Sequence, residues 1–287
     1  MKLKRLKNSN NAVVGIVAAF LIVGLIVTVI SVVQTQYVPK WMKEKESEHM
    51  DKVAEQFNQL KYSIDIHSVA KQKGNAITNS FVLGSKEMPY LMSVRAFGQL
   101  RILNNNFNIK IRNDSKNYSF TTGLIKYESF NSYYINQNYI FEGGAVILTQ
   151  DQGEAIRIKP VFTADLEADL VISYDLSNIS TVGNKDRSAV GYGPVQIQTE
   201  FSSAESYDLI TNVSNISINT TYLDAWHSFL NSTFIKAGLN YAGYGTDYTI
   251  EIINDLVYVE FTGSIVVNMD IDIINIYAQI GPGFIEE

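Results

Sequence analysis

Two apolar patterns of different kind run along the first quarter of the chain. From Ala12 to Val33 every position is uncharged and most are aliphatic, with no polar stripe at helical spacing. A helix apolar on all sides has no face for water. These 22 residues, at about 1.5 Å each, reach roughly 33 Å, enough to cross a bilayer core. Beyond Gln34-Thr35-Gln36-Tyr37 comes Pro39, which is expected to kink or loosen the helix. The pattern then turns amphipathic. Met50, Val53, Phe57, Leu60 and Ile64 recur at spacings of three and four among Lys, Glu, Gln, Asp and Asn, which makes one apolar seam. Gly74-Asn75 supplies a stop signal. The seam has two readings, packing against the protein's own globular part or contact with sister subunits.

From about Phe81 the period changes from helical to two. Leu100-Arg101-Ile102, Phe107 to Ile111, Ala155 to Lys159, Val195 to Gln198, Tyr248 to Ile252 and Val257 to Phe261 alternate apolar and polar side chains. Such runs predict half-buried antiparallel strands. Glu142-Gly143-Gly144, Asp151-Gln152-Gly153, Asn254-Asp255 and Thr262-Gly263 separate them as turns. One helix interrupts the strands: Tyr222, Ala225, Trp226, Phe229, Leu230 and Thr233 follow helical spacing. Thr221 and Asp224 are placed as a capping pair, and Gly238 as the stop. The predicted fold is mainly β with α. A long N-terminal transmembrane-plus-stalk helix precedes an antiparallel β-sandwich-like head with one short late helix. The expected division is a basic leader over 1–11, a transmembrane helix over 12–33, a helical stalk over 34–74 and an extracellular head over 75–287.

Charge sharpens this division. Residues 1–73 carry 11 Lys/Arg against 6 Asp/Glu, and residues 74–287 carry 12 against 23, so a +5 segment is joined to a −11 remainder. Lys2, Lys4, Arg5 and Lys7 precede the apolar run without an acid among them, whereas Lys40, Lys43 and Lys45 beyond it alternate with Glu44, Glu46 and Glu48. The positive-inside rule places the N-terminus in the cytoplasm and the head outside. The apolar run is longer than that of a cleaved secretory signal and no A-x-A site follows it, which favours a retained anchor. The absence of cysteine excludes disulfides, thiolate-bound metals and thiol catalysis. The acidic balance argues against a nucleic-acid partner, and the 46% hydrophobic content excludes global disorder.

Little catalytic chemistry is legible. Asp224, His227 and Ser228 lie close in sequence, but on a helix Ser228 points away from the other two, so no triad is expected. Asp165, Glu167 and Asp169 would align on one strand face, with Asp270 and Asp272 as a shorter run. Neither has the spacing of a calcium loop, and no metal or cofactor site is expected. Gly191-Tyr192-Gly193 and Gly243-Tyr244-Gly245 read as strand bends. Small residues Gly15 and Ala19, and Gly24 and Thr28, stand four apart on the apolar helix, a spacing that lets membrane helices approach closely. Sequons at Asn113, Asn117, Asn178, Asn212, Asn215, Asn219 and Asn231 all fall on the predicted exterior side and are candidate glycosylation sites.

The layout resembles archaeal type IV pilin-like proteins, the group that includes archaellins and adhesion pilins. The basic run Met1-Lys2-Leu3-Lys4-Arg5-Leu6-Lys7 leads into Asn10-Asn11-Ala12-Val13-Val14-Gly15-Ile16, similar to the class III leader and helix start of that family. Gly123 to Tyr127 followed by Tyr139 to Ile147 is similar to a strand pair of its heads, and Ala225-Trp226 fits its short late helix. The resemblance implies a prepilin peptidase cutting near Asn11-Ala12, and apolar helices packing with copies of the chain or related subunits in a surface filament or pseudopilus. It implies an adhesive or structural role rather than an enzymatic one. The alternative is a monomeric, single-pass, membrane-anchored surface or binding protein that does not polymerise. In either case the lipid bilayer is a partner.

Overall fold

The structure is a computed structural model that describes residues 9–85, 96–240, 247–262 and 265–281. The basic run Met1 to Lys7 and the Gly243-Tyr244-Gly245 segment lie outside the described residues. Helix α1 spans Ser9–Val32 and helix α2 spans Val38–Ala70. A single π-helical turn, Val33–Tyr37, joins them, and Pro39 sits in the first turn of α2. Proline lacks the N–H of a regular turn and crowds the preceding carbonyls, so the widened turn just before it has a direct cause. The helix ends earlier than expected. Lys71 adopts the left-handed conformation at φ 49° and its N–H returns to the His67 carbonyl at 3.0 Å, while Gly74 lies in the following turn.

Among the described residues the rest of the chain forms fourteen strands, one further α-helix and a short 3-10 turn at Val182–Asn184. The strands are β1 (Ile77–Val82), β2 (Phe97–Asn113), β3 (Asn117–Phe130), β4 (Asn138–Glu142), β5 (Ala145–Gln150), β6 (Gly153–Ile158), β7 (Val161–Leu166) and β8 (Leu170–Ser180). They continue with β9 (Arg187–Gly191), β10 (Pro194–Ile210), β11 (Val213–Asn219), β12 (Tyr248–Ile253), β13 (Leu256–Phe261) and β14 (Val267–Ile280). Helix α3 (Leu223–Ala237) falls between β11 and β12. The head is thus mostly antiparallel sheet with one short late helix, and one long apolar helix precedes it. The exception to antiparallel pairing is β8 beside β14, which run parallel. They are distant in sequence, so the long connection a parallel pair needs is present.

The strands form two sheets linked through β3 and β8. One runs β1-β10-β14-β8 with β7 at its edge; the other runs β4-β3-β2-β11-β13-β12, extended through β5 and β6. They meet at one bridge, Gly123 of β3 to Ile179 of β8. A Cβ on Gly123 would collide with the Ile179 and Leu103 carbonyl oxygens, so only glycine permits this approach. Near the same level β2 bulges between Leu103 and Phe107, with Asn105 at φ 56°. The bulge divides β2 in two: residues 98–102 pair with β9, and the half beyond Asn108 pairs with β11.

Two apolar clusters follow from that division. One lies under α2 and contains the whole seam, Met50, Val53, Phe57, Leu60 and Ile64, against Phe81, Leu100, Ile125, Tyr139 and Ile276 among others. The other lies under α3 around Trp226, Phe107, Phe229 and Phe234. The seam is therefore buried inside the chain's own head, leaving none of it for sister subunits. Helix α2 buries more than the seam: Val38 and Met42 are also closed off, at 2% and 0% exposure. The stretch expected as a stalk is a structural layer of the head, and no free stalk separates the head from α1.

Candidate functional site

Helix α1 leaves its described side chains, from Val13 to Val32, exposed on every side. Its stretch is long and apolar enough to cross a membrane. Gly15 and Gly24 have open space around them. Thr28 and Thr35 return their hydroxyls to the Gly24 and Ser31 carbonyls, at 2.8 and 2.7 Å, so neither brings an unpaired polar group to the helix surface. Ala19 lies one turn beyond Gly15 on the same exposed surface. The backbone at Asn11 and Ala12 belongs to α1.

Polar clasps hold α2 to the head in an ordered ladder. Nearest α1, Glu46 is fully buried and its carboxylate accepts from the backbone N–H groups of Ser132, Tyr133 and Tyr134, at 3.1, 2.7 and 2.6 Å. Three backbone donors supply the solvation that burial removes. One turn on, His49 Nε2 meets the Tyr127 hydroxyl at 2.9 Å, and that hydroxyl donates to the Leu83 carbonyl at 2.8 Å. The hydroxyl proton is used on Leu83, so His49 is the donor to Tyr127. Burial lowers His49 to about 4, keeping it neutral, and raises Tyr127. Further along, Gln56 accepts from the Val82 N–H at 3.3 Å, Ser63 pairs with Asn79, and His67 reaches the Thr199 carbonyl at 3.0 Å. Lys61 binds Asp65, and Lys71 approaches Asp272 at 3.8 Å. Asp175 beside them is held above its usual range, first by burial and then by Asp272.

The far core has a buried acid of its own. Glu142 ends β4 at the Gly143-Gly144 turn and is fully closed off from solvent. Its Oε1 accepts from the Thr220 hydroxyl at 2.5 Å and from Trp226 Nε1 at 2.7 Å. Its Oε2 has no hydrogen-bond partner among the described residues. Burial outweighs the two donors and pushes Glu142 up to about 7. Tyr174 donates to the neighbouring Gly143 carbonyl at 2.6 Å. The start of α3 is not capped as the sequence suggested. Tyr222 is the cap residue and offers no side-chain bond, Thr221 is exposed, and Glu154 of β6 accepts from the Ala225 N–H at 3.2 Å instead.

An open groove of about 560 Å³ runs beside α3, where Lys159, Asp165, Glu167 and Lys236 stand over Phe162 and Phe229. Asp165 and Glu167 thus line the groove together with two lysines. The expected single acidic strand face does not form, because β7 ends at Leu166 and Glu167 and Asp169 belong to the turn after it. Asp224 and Ser228 are exposed on α3 and His227 is half-buried. Among the described residues no group of three or more His, Asp or Glu is placed to hold a metal ion.

The sequon asparagines separate by environment. Asn117, Asn212 and Asn219 are exposed. Asn113 is half-buried, its side chain closing the turn to Lys116 at 2.7 Å; Asn178 donates to Asn275 at 2.7 Å; Asn231 accepts from the Tyr248 hydroxyl at 2.7 Å; Asn215 is half-buried on β11 between β2 and β13. Asn113, Asn117 and Asn212 lie together at the β2–β3 and β10–β11 turns, the end of the head opposite Phe97 and Phe130. Comparison with known proteins finds no matching family model, no matching curated protein and no matching solved structure.

Proposed function

We propose that this is a membrane-anchored, pilin-like surface protein, a non-catalytic subunit whose copies associate through α1 while the head faces outward. One observation carries the reading: a single helical run is bare on every side in its first half and built into the core of the head in its second. Such a helix couples the head rigidly to whatever surrounds α1, either lipid or the α1 of neighbouring copies. Gly15, Ala19, Gly24 and Thr28 offer the small surface at which copies would meet. The exposed Asn117 and Asn212 at the far end are the sequons best placed to carry glycans.

The chain has no cysteine, so Ala19→Cys introduces a single reporter. Oxidation in native membranes yields disulfide-linked species if α1 helices meet there. Sequencing of the mature N-terminus establishes whether a peptidase has cut near Asn11-Ala12. An intact Met1 together with no cross-linked species overturns assembly.

That result would support the second reading, a monomeric single-pass anchor. Tyr37 and Trp41 favour it. They stand exposed just beyond α1 with ring centroids 5.8 Å apart, where amphipathic aromatics anchor a resident membrane helix.

A further inference from the structure

We infer that the base of the head is itself a membrane-contact surface, leaning into the headgroup layer of the bilayer that α1 spans. The inference rests on the reading of α1 as the span. It begins from how close the head comes. Helix α1 ends at Val32, and by Val38 the helix is already covered to 2% exposure, with Met42 at 0%. A helix cannot bury its own side chains this completely, so the cover comes from chain packed against it. Six residues at about 1.5 Å each put that cover about 9 Å beyond the span. The headgroup region on each side of a bilayer is itself about 5–8 Å deep.

The ladder of clasps identifies which end of the head this is. Passing from His67 back to Glu46, the partners are Thr199, Asn79, Val82, Leu83 with Tyr127, and finally Ser132 to Tyr134. Strand β3 therefore runs toward the membrane and ends at Phe130, paired with Phe97 at the start of β2. Those two rings are exposed and stacked at 4.6 Å, with Tyr192 set edge-on to Phe97 at 6.1 Å. Ile135 projects from the loop that Glu46 holds down and is 48% exposed. With Tyr37 and Trp41, the membrane end of the molecule carries an aromatic rim. The opposite end carries polar turns with sequons at Asn113, Asn117 and Asn212.

Aromatic side chains gathered at the end nearest a bilayer match the interfacial layer, which accepts ring faces and polar edges together. Lys40 and Lys43 stand exposed between the span and the rim, where basic side chains act as interfacial anchors. Spanning helices commonly tilt by about 20°, within a range of 0–40°. The loop just after Phe130 meets α2 at Glu46, fourteen residues or about 21 Å beyond Val32, so a tilt toward the Phe97–Phe130 side near the upper end of that range lowers the rim onto the lipid, and the rim selects the direction of tilt.

The test uses the full chain in phosphatidylcholine nanodiscs, with and without bromine on the acyl chains near the glycerol. The chain has two tryptophans. Trp226 is fully buried and serves as an unquenched internal standard of folding. Trp41 in the wild type reports whether α1 spans, and Phe130→Trp combined with Trp41→Phe reports on the rim. The expected result is bromine quenching of Trp41 and of the indole introduced at the rim, with Trp226 unaffected. Quenching of Trp41 but not of the rim indole overturns the contact while leaving the span intact. Quenching of neither overturns the span as well. Shielding of the rim indole only in discs holding two copies assigns the rim to a second molecule and overturns the lipid contact.

Discussion

Glu142 and His49 are buried titratable groups whose shifts have opposite sign, and their separate removal tests the account of both cores. Burial raises Glu142 from 4.5 to about 7 and lowers His49 from 6.5 to about 4. A carboxyl raised on folding stabilises most below its unfolded value, and that contribution is lost as pH rises through about 7. A histidine lowered on folding stabilises most above 6.5, and that contribution is lost as pH falls through about 4. At about 1.36 kcal/mol per unit, each amounts to about 3 kcal/mol, and between about pH 4.5 and 6.5 the two slopes oppose and cancel. The groups around Glu142 are Glu154, Tyr174 and Tyr222, and Lys52 acts on His49. Urea unfolding of the detergent-solubilised chain, followed by Trp226 fluorescence from pH 4 to 8, measures the difference of each variant from wild type. Groups that do not interact with the substituted residue drop out of that difference. Glu142→Gln should gain about 3 kcal/mol relative to wild type as pH rises across this range, because it has no buried acid to ionise. His49→Gln should lose about the same relative to wild type over that rise. A variant–wild-type difference that does not change with pH refutes the assignment for that residue.

Three further outcomes follow from the docked helix. Gly98→Ala places a Cβ against the Tyr127 hydroxyl and the Leu83 carbonyl, and should cost about 1–3 kcal/mol in chemical denaturation while disturbing the His49 clasp. Phe57→Ala empties a fully buried site between Phe81 and Tyr139, at 5.3 and 5.6 Å, and should cost about 3–5 kcal/mol; Phe57→Asp should cost more, because it buries an unpaired charge. Glu46→Ala leaves three backbone N–H groups without their acceptor. Hydrogen exchange should speed up at Ser132, Tyr133 and Tyr134 while amides of the α3 core keep their protection.

The elements most legible in the sequence are those whose side chains repeat with a period. The Met50–Ile64 seam and the alternating strands announce themselves because one face is apolar and the other polar. Val38 and Met42 continue the seam's spacing of four, but the charged Glu46 stands where the pattern needs an apolar residue before Met50, so the stripe reads as broken. Glu46 is harder still. In sequence it is one acid in Lys43-Glu44-Lys45-Glu46, which reads as a solvated face, and its three donors come from a loop more than eighty residues away. Glu142 is visible only as the edge of a glycine turn, since Thr220 and Trp226 close around it from another part of the chain. Local rules also lose to tertiary ones at the helix ends. Lys71 takes the left-handed position expected of Gly74, and Glu154 caps the helix that Thr221 was expected to begin. The parallel β8–β14 pair leaves no mark on either strand's own pattern.

The ladder along α2 also has a mechanical meaning. A pull on the far turns of β2 and β3, resisted by α1 in its surroundings, loads the β2–β3 hairpin along its length. The pull draws β2 and β3 the same way, so the pairs that resist it in shear are those to the flanking strands, β9 and β11 beside β2 and β4 beside β3, which share the load instead of opening one after another. The clasps at Glu46, His49, Ser63 and His67 lie along the same line of force and spread it into the helix. Resistance to such a pull is set by the rate of forced unfolding rather than by equilibrium stability, and this head is strung in the direction that makes that rate slow.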